Sequence, residues 1–136
     1  MKITEENKKK LISEIKFVLE KMKEATDPNN KLYYFSAIFG IMNRIYNLES
    51  APDLVFAHFV LVSTHREISA RLHDPEKVIE LPEGFFDKLY EATAELLDVI
   101  EKKKNPYEAL RQFVLLGYIT TGNGYYLYQK GLIKLS

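Results

Sequence analysis

The sequence predicts an all-α fold, a compact bundle of about five helices that forms a single domain over residues 1–136. Three observations support this prediction. The length of 136 residues suits one domain, and a hydrophobic content of 46% is typical of a globular chain. Apolar residues recur at steps of three and four, the period of an amphipathic helix. Proline, asparagine and glycine separate the periodic segments, so we expect helices at about residues 4–25, 31–48, 51–72, 83–104 and 106–121.

The first two helices differ in how their apolar residues are distributed. In the first helix Leu11, Ile15, Val18 and Met22 recur on one face, and charged residues occupy the others. Pro28 and its neighbours end this helix, because proline disfavours helical geometry at the preceding residue. The second helix is apolar or aromatic on nearly every side. Such a helix belongs in the centre of the domain or in a subunit interface.

The other three helices each begin near a proline. Ser50 and Pro52 provide a cap and an early proline for the third helix, and Pro82 opens the fourth. Asn105 and Pro106 repeat the pattern for the fifth. The three helices are therefore expected to begin at about residues 51, 83 and 106.

The tyrosine-rich segment that follows allows two interpretations. Asn123 and Gly124 can form a two-residue hairpin turn that pairs residues 118–121 with 125–128. Alternatively, Asn123 caps a short helix that Gly131 ends. We favour the helix, because the apolar pattern of the fifth helix extends too far for a strand to begin at position 118.

The composition excludes several classes of function. A chain without cysteine cannot form disulfides, cysteine-ligated metal centres or a thiol nucleophile. The 19 basic residues are balanced by 19 acidic ones, which argues against binding duplex nucleic acid by bulk attraction. The six glycines form no phosphate-binding loop. We therefore expect no cofactor.

Localisation is predicted from the absence of targeting and membrane signals. The N-terminus begins with charged residues and has no signal-peptide core. The longest apolar run, residues 54–62, is much shorter than the roughly 20 residues that a spanning helix needs. We expect a cytoplasmic protein without a membrane partner. Two glutamines, no cysteine and many lysines and glutamates resemble the composition of a thermophile protein.

All three histidines lie on the predicted third helix. At about 100° per residue, roughly a quarter of its circumference carries five polar residues. They are His58, His65, Arg66, Ser69 and His73. This stripe is either a seam with satisfied imidazoles or a polar cleft in which histidine moves protons and arginine holds a phosphate. We expect no metal there, because His58 and His65 lie about 10.5 Å apart along the helix.

One part of the stripe resembles a known family. Arg66 and His73 are separated by six residues, a spacing similar to the Arg-x4–6-His motif of the HEPN superfamily. Residues 33–37 are loosely similar to its Tyr- and Ala-rich second helix. The resemblance implies a small, often dimeric, metal-independent ribonuclease or an RNA-binding protein. In that case His73 would transfer a proton at the phosphodiester, Arg66 would bind its charge, and His65 would be a third candidate.

The C-terminal segment predicts an interaction surface instead. Residues 105–136 hold five of the nine tyrosines and only four charged residues, and tyrosine is enriched at interfaces. The candidate interface residues are Tyr118, Tyr125, Tyr126 and Tyr128. The alternative is that this segment folds back to complete the core. We expect a non-catalytic structural or protein-interaction module, whose partner is a second copy or another protein, and treat the RNA-directed enzyme as the alternative.

Overall fold

The fold consists of helices throughout the described part of the chain. The computed structural model describes residues 4–48, 52–73, 81–102 and 105–135. Its helices are α1 (Glu5–Glu24), α2 (Pro28–Leu48), α3 (Pro52–Leu72), α4 (Phe85–Lys102), α5 (Pro106–Ile119) and α6 (Gly122–Gln129). No strand occurs within these residues. The predicted all-α bundle is thus confirmed.

The first five helices form a closed ring around one hydrophobic core. α1 packs on α2, α2 on α3, α3 on α5, α5 on α4, and α4 on α1, while α6 packs on α5. Phe35 of α2, Phe85 of α4 and Phe113 of α5 are among the largest fully buried side chains. The rings of Phe35 and Phe113 stack with their centroids 6.4 Å apart. Aromatic packing therefore joins α2 to α5 across the inside of the ring.

α3 and α5 are neighbours that run parallel. Three contacts join them: the Phe56 ring with the Tyr107 ring, the Thr64 hydroxyl with the Phe113 carbonyl, and the Arg71 guanidinium with the Thr120 carbonyl. Residue numbers increase together on the two helices, which fixes the direction. The helices approach closely at Gly117, where an added Cβ would lie 3.4 Å from the Thr64 Cα. This pair forms one side of the ring.

α2 begins three residues before its predicted start. The Asp27 carboxylate accepts hydrogen bonds from the backbone N–H groups of Asn29, at 2.7 Å, and Asn30, at 3.2 Å. Pro28 occupies the first helical position, where its missing N–H costs no intrahelical bond. The Asp27–Pro28 pair thus ends α1 and also begins α2. The sequence pattern predicted only the end of α1.

The start of α4 and the end of α5 also differ from the prediction. Gly84 has a φ of 78°, outside the helical region, so α4 begins at Phe85 rather than at residue 83. α5 ends at Ile119 rather than at residue 121. The hydroxyls of Thr120 and Thr121 donate to the carbonyls of Gly117 and Tyr118, each at 2.6 Å. Ser50, the predicted cap of α3, lies outside the described residues.

The tyrosine-rich segment forms the predicted short helix, α6, with a different cap. Thr121, rather than Asn123, is the N-cap, and its hydroxyl oxygen accepts from the Gly124 N–H at 3.1 Å. Gly124 is buried against α5: an added Cβ would lie 1.7 Å from the Tyr118 carbonyl oxygen. Threonine provides the same capping oxygen as asparagine, so residue type alone did not identify the cap.

The end of α6 is a Schellman motif. Gly131 has a φ of 75°, and its N–H donates to the Tyr128 carbonyl at 3.0 Å. The next N–H, of Leu132, donates to the Leu127 carbonyl at 2.9 Å. This pair of bonds satisfies the last carbonyls of the helix and favours glycine at the left-handed position. The prediction that Gly131 ends the helix is confirmed.

Candidate functional site

The His65 imidazole is held between α2 and α3. Its Nε2 lies 2.5 Å from the Ser36 Oγ, which also donates to the Leu32 carbonyl at 3.0 Å. A serine hydroxyl has one proton, and a carbonyl oxygen only accepts. Both bonds form together when the His65 Nε2–H donates to Ser36. In this arrangement His65 does not take the serine proton, so the pair does not form an activated nucleophile.

Aromatic rings surround this imidazole. His65 stacks on Phe35 and on Phe39, with ring centroids 6.0 Å apart in each case. Burial lowers the pKa of His65, because partial desolvation disfavours the charged imidazolium. His58 also stacks on Phe39, with the two ring centroids 5.6 Å apart. His58 and His65 therefore lie in a packed seam between the two helices.

Arg66 lies on α3 and His73 directly follows its last residue, and both side chains are exposed. Arg66 lines a groove of about 440 Å³ together with Phe39, His65 and Ser69, among others. His73 is not among the residues that line this groove. The two candidates are about 10.5 Å apart along the helix axis. The structure thus places Arg66 and His65 at one groove and His73 beyond it.

The four candidate interface tyrosines occupy two different elements. Tyr118 is exposed on α5 and lines a groove against α3. Tyr126 is exposed on α6, with the Lys130 ammonium 5.6 Å from its ring centroid. Tyr125 and Tyr128 are half-buried on α6. Among these four residues, Tyr118 alone borders the groove between α3 and α5.

That groove, between the parallel helices, has a volume of about 290 Å³. Buried residues that include Val60, Phe113 and Gly117 form its floor. The exposed side chains of Phe59, Val114 and Tyr118 line its sides, and Ser63, Glu67 and Thr121 complete the lining. Its surface is mainly apolar, which suits the docking of an apolar side chain better than chemistry on a polar substrate.

The surface around the groove is also apolar. Six of the ten exposed large hydrophobic side chains in the described residues lie on these two helices. They are Val55, Phe56, Phe59, Tyr107, Val114 and Tyr118, and we call them the α3–α5 face. Phe59 is the most exposed of them, at 69%. A concentration of this kind marks an interaction surface, whereas scattered single residues are normal.

Two opposite charges lie among the apolar side chains of the α3–α5 face. Arg111 is exposed on α5, four residues after Tyr107 and three before Val114, on the same side of the helix. Glu67 lines the groove from α3. The ion pairs found within the described residues join other side chains. Glu67 and Arg111 thus remain available to a molecule that binds this face.

No protein-family model, no characterised protein and no solved structure matches this chain. Across the described ranges, no three His, Asp or Glu side chains are grouped closely enough to hold a metal ion. In the same residues, no helix combines the length and the apolar character needed to cross a membrane.

Proposed function

We propose that this protein is a non-catalytic interaction module that assembles with a second copy of itself through the α3–α5 face. The observation that supports this is the collection of six exposed large hydrophobic side chains around one groove. Removing apolar surface from water favours association. Because these side chains share one face, a single partner can cover them together.

A binding role suits the chemistry of the face. Glu67 is the one carboxylate among the residues that line the groove, and no histidine, lysine or arginine joins it there. His65, two residues before Glu67 on α3, faces α2 and is bonded to Ser36. General acid–base catalysis needs groups that converge on a reacting atom. The groove offers shape and apolar contact instead.

A second copy is the partner that this surface fits. In a two-fold interface both subunits use the same patch, so the patch must be complementary to itself. The α3–α5 face carries a projecting Phe59 ring and, beside it, a groove with an apolar floor. Each copy thus provides both a side chain to insert and a groove to receive one.

The test compares two equally exposed phenylalanines. Phe59 is 69% exposed on the face, and Phe17 is 66% exposed on α1, outside it. Analytical ultracentrifugation of the full chain should give a dimer for the wild type and for Phe17→Ser, and a monomer for Phe59→Ser. Circular dichroism confirms that both variants are folded. A wild type that stays monomeric as concentration rises, or a Phe59→Ser variant that dimerises normally, contradicts the proposal.

The alternative function is a metal-independent ribonuclease. It is favoured by one observation: Arg66 and His73 are both exposed and lie two turns apart on the same side of α3. Wild type and His73→Ala are incubated with labelled RNA in the presence of a chelator. Cleavage by the wild type alone supports this function. Equal background cleavage by the two proteins rules it out.

A further inference from the structure

We infer that the cavity where α1 ends and α2 and α4 begin binds a zwitterionic amino acid with an apolar side chain, whose carboxylate contacts Lys31 and whose ammonium group contacts Asp87. The cavity has a volume of about 320 Å³, the size of a small-molecule site. All of its lining residues belong to α1, α2 and α4. A ligand bound there therefore leaves the α3–α5 face uncovered.

The Lys31 ammonium is fixed in position beside this cavity. Its side chain is half-buried, and its Nζ donates to the carbonyl of Met22, in the last turn of α1, at 3.2 Å. The C-terminal end of a helix is negative, so this bond also stabilises the positive charge. An ammonium group has three donors, and the bond to Met22 uses one of them. The other donors have no partner among the described residues and suit a carboxylate.

Asp87 provides the opposite charge from the first turn of α4. A carboxylate is favoured there by the helix dipole. Within the described residues, no hydrogen bond or ion pair joins this carboxylate to another group, Lys31 included. Each of the two charges is thus stabilised by its own helix end and not by the other. Opposite charges that line one cavity without pairing leave room between them for a molecule that carries both.

Apolar and aromatic side chains form much of the remaining wall. Met22 is buried, and the rings of Phe86 and Tyr90 are half-buried. The Tyr90 hydroxyl donates to the Glu20 carboxylate at 3.2 Å, so this polar group is already bonded outside the cavity. Such walls suit an apolar side chain, while the few charged groups orient the ligand.

Two further charged residues line the cavity, and each already has a partner. The Lys23 ammonium lies 5.5 Å from the Tyr90 ring centroid, and the Glu91 carboxylate pairs with Lys88 at 3.2 Å. One cation and one anion therefore remain for a ligand. A simple anion or a simple cation would leave one of them unpaired, whereas an amino acid satisfies both.

Titration of the full chain with L-phenylalanine, followed by amide NMR spectroscopy, tests the site. We expect the backbone amide signals of Lys31, Phe86 and Asp87 to shift at millimolar concentrations. Two matched compounds each lack one charge: phenylpropionate has no ammonium group, and L-phenylalaninamide has no carboxylate. Each should bind at least about tenfold more weakly than L-phenylalanine.

Removing one protein charge at a time should separate the three compounds. Asp87→Asn should weaken the binding of L-phenylalanine by about tenfold but should not weaken that of phenylpropionate, which has no ammonium group to lose its partner. Lys31→Met should weaken L-phenylalanine and phenylpropionate but not L-phenylalaninamide. The matched controls are Glu95→Gln on α4 and Lys9→Met on α1, exposed residues that do not line the cavity. Neither should change any of the three affinities.

Circular dichroism checks the fold of each variant, because Lys31 also bonds to Met22. If Lys31→Met does not fold, Asp87→Asn and the two matched compounds decide the question, since Asp87 is exposed and has no bond to lose.

Three results contradict the amino-acid site. They are the absence of shifts at the cavity in millimolar L-phenylalanine, equal binding of all three compounds, and unchanged binding of L-phenylalanine by Asp87→Asn. None of them bears on the α3–α5 face, which is tested by the sedimentation of Phe59→Ser. A wild type that stays monomeric likewise leaves the amino-acid site in place.

Discussion

The Arg71 guanidinium, on the last turn of α3, donates a hydrogen bond from Nε to the backbone carbonyl of Thr120, just after α5 ends. Thr120 is fully buried, so its carbonyl is shielded from water by the same packing. The bond places a permanent positive charge at the end of α5, where the helix dipole is negative. A single side chain therefore ties together the C-terminal ends of the two parallel helices.

Replacing Arg71 should destabilise the fold. We expect Arg71→Met to lower the free energy of unfolding by about 1–3 kcal/mol, because it leaves a buried carbonyl without a donor. Arg44→Met is the control: Arg44 makes an exposed ion pair, and its loss should cost less than about 1 kcal/mol. Urea unfolding followed by circular dichroism measures both. Equal costs for the two variants would show that the bond to Thr120 contributes no more than a surface ion pair.

Replacing Gly124 and Gly40 by alanine should change the stability of the fold in opposite directions. An added Cβ at Gly124 would lie 1.7 Å from the Tyr118 carbonyl oxygen, so Gly124→Ala must push α6 away from α5. We expect this substitution to lower the free energy of unfolding by about 3 kcal/mol. Gly40, inside α2, has nothing within 4 Å of an added Cβ, and Gly40→Ala should stabilise by about 0.5–1 kcal/mol. Thermal unfolding of the two variants gives the comparison, and a Gly124→Ala variant as stable as the wild type would contradict the close packing of Gly124 on α5.

Stability should fall in mild acid because of His65. Burial lowers the pKa of His65 in the folded protein below that of the unfolded chain. The unfolded chain then binds more protons as the pH falls below about 6.5, so stability is complete above that pH and is lost progressively below it. The free energy of unfolding should therefore decrease between about pH 6.5 and 5, and His65→Gln should reduce that slope. His73→Gln, at an exposed position, is the control and should retain it.

Substitution of the candidate tyrosines should affect dimerisation on α5 but not on α6. Tyr118 lines the groove of the α3–α5 face, and Tyr126 lies on α6 outside it. We expect Tyr118→Ser to weaken dimerisation by about tenfold or more, as the loss of a buried interface ring does, and Tyr126→Ser to leave it unchanged. Sedimentation equilibrium measures the dissociation constants. The opposite order would place the interface on α6 instead.

The boundaries of the helices were predictable where the signal is local. Asn105 and Pro106 begin α5 as predicted, because a cap and an early proline act on the turn that contains them. Asp27 and Thr121 were missed as caps although both are good capping residues. Pro28 also accounts for the end of α1, and Asn123 is an equally suitable cap for α6. Which residue acts as the cap depends on how the next helix packs.

The α3–α5 face could not be predicted from the same patterns. Residues 54–62 are apolar on several sides of the helix, so periodicity does not say which side is buried. In the fold Leu61 is fully buried and Phe59 is largely exposed, because α3 packs on α2 and α5 and no other described helix makes extensive contact with its outer side. That α5 rather than α4 lies beside α3 is a long-range feature. Local spacing contains no information about it.

The directions of five helices cannot alternate all the way around a closed ring. Up and down can alternate around a closed ring only if the number of members is even, so an odd ring must contain at least one pair of neighbours with the same direction. Here that pair is α3 and α5, and the α3–α5 face lies on it. The place where alternation fails is thus also the place where apolar surface is left uncovered. A second copy that docks on this face with its helices antiparallel to α3 and α5 would give each of the two helices an opposed neighbour and extend the alternation beyond the single chain.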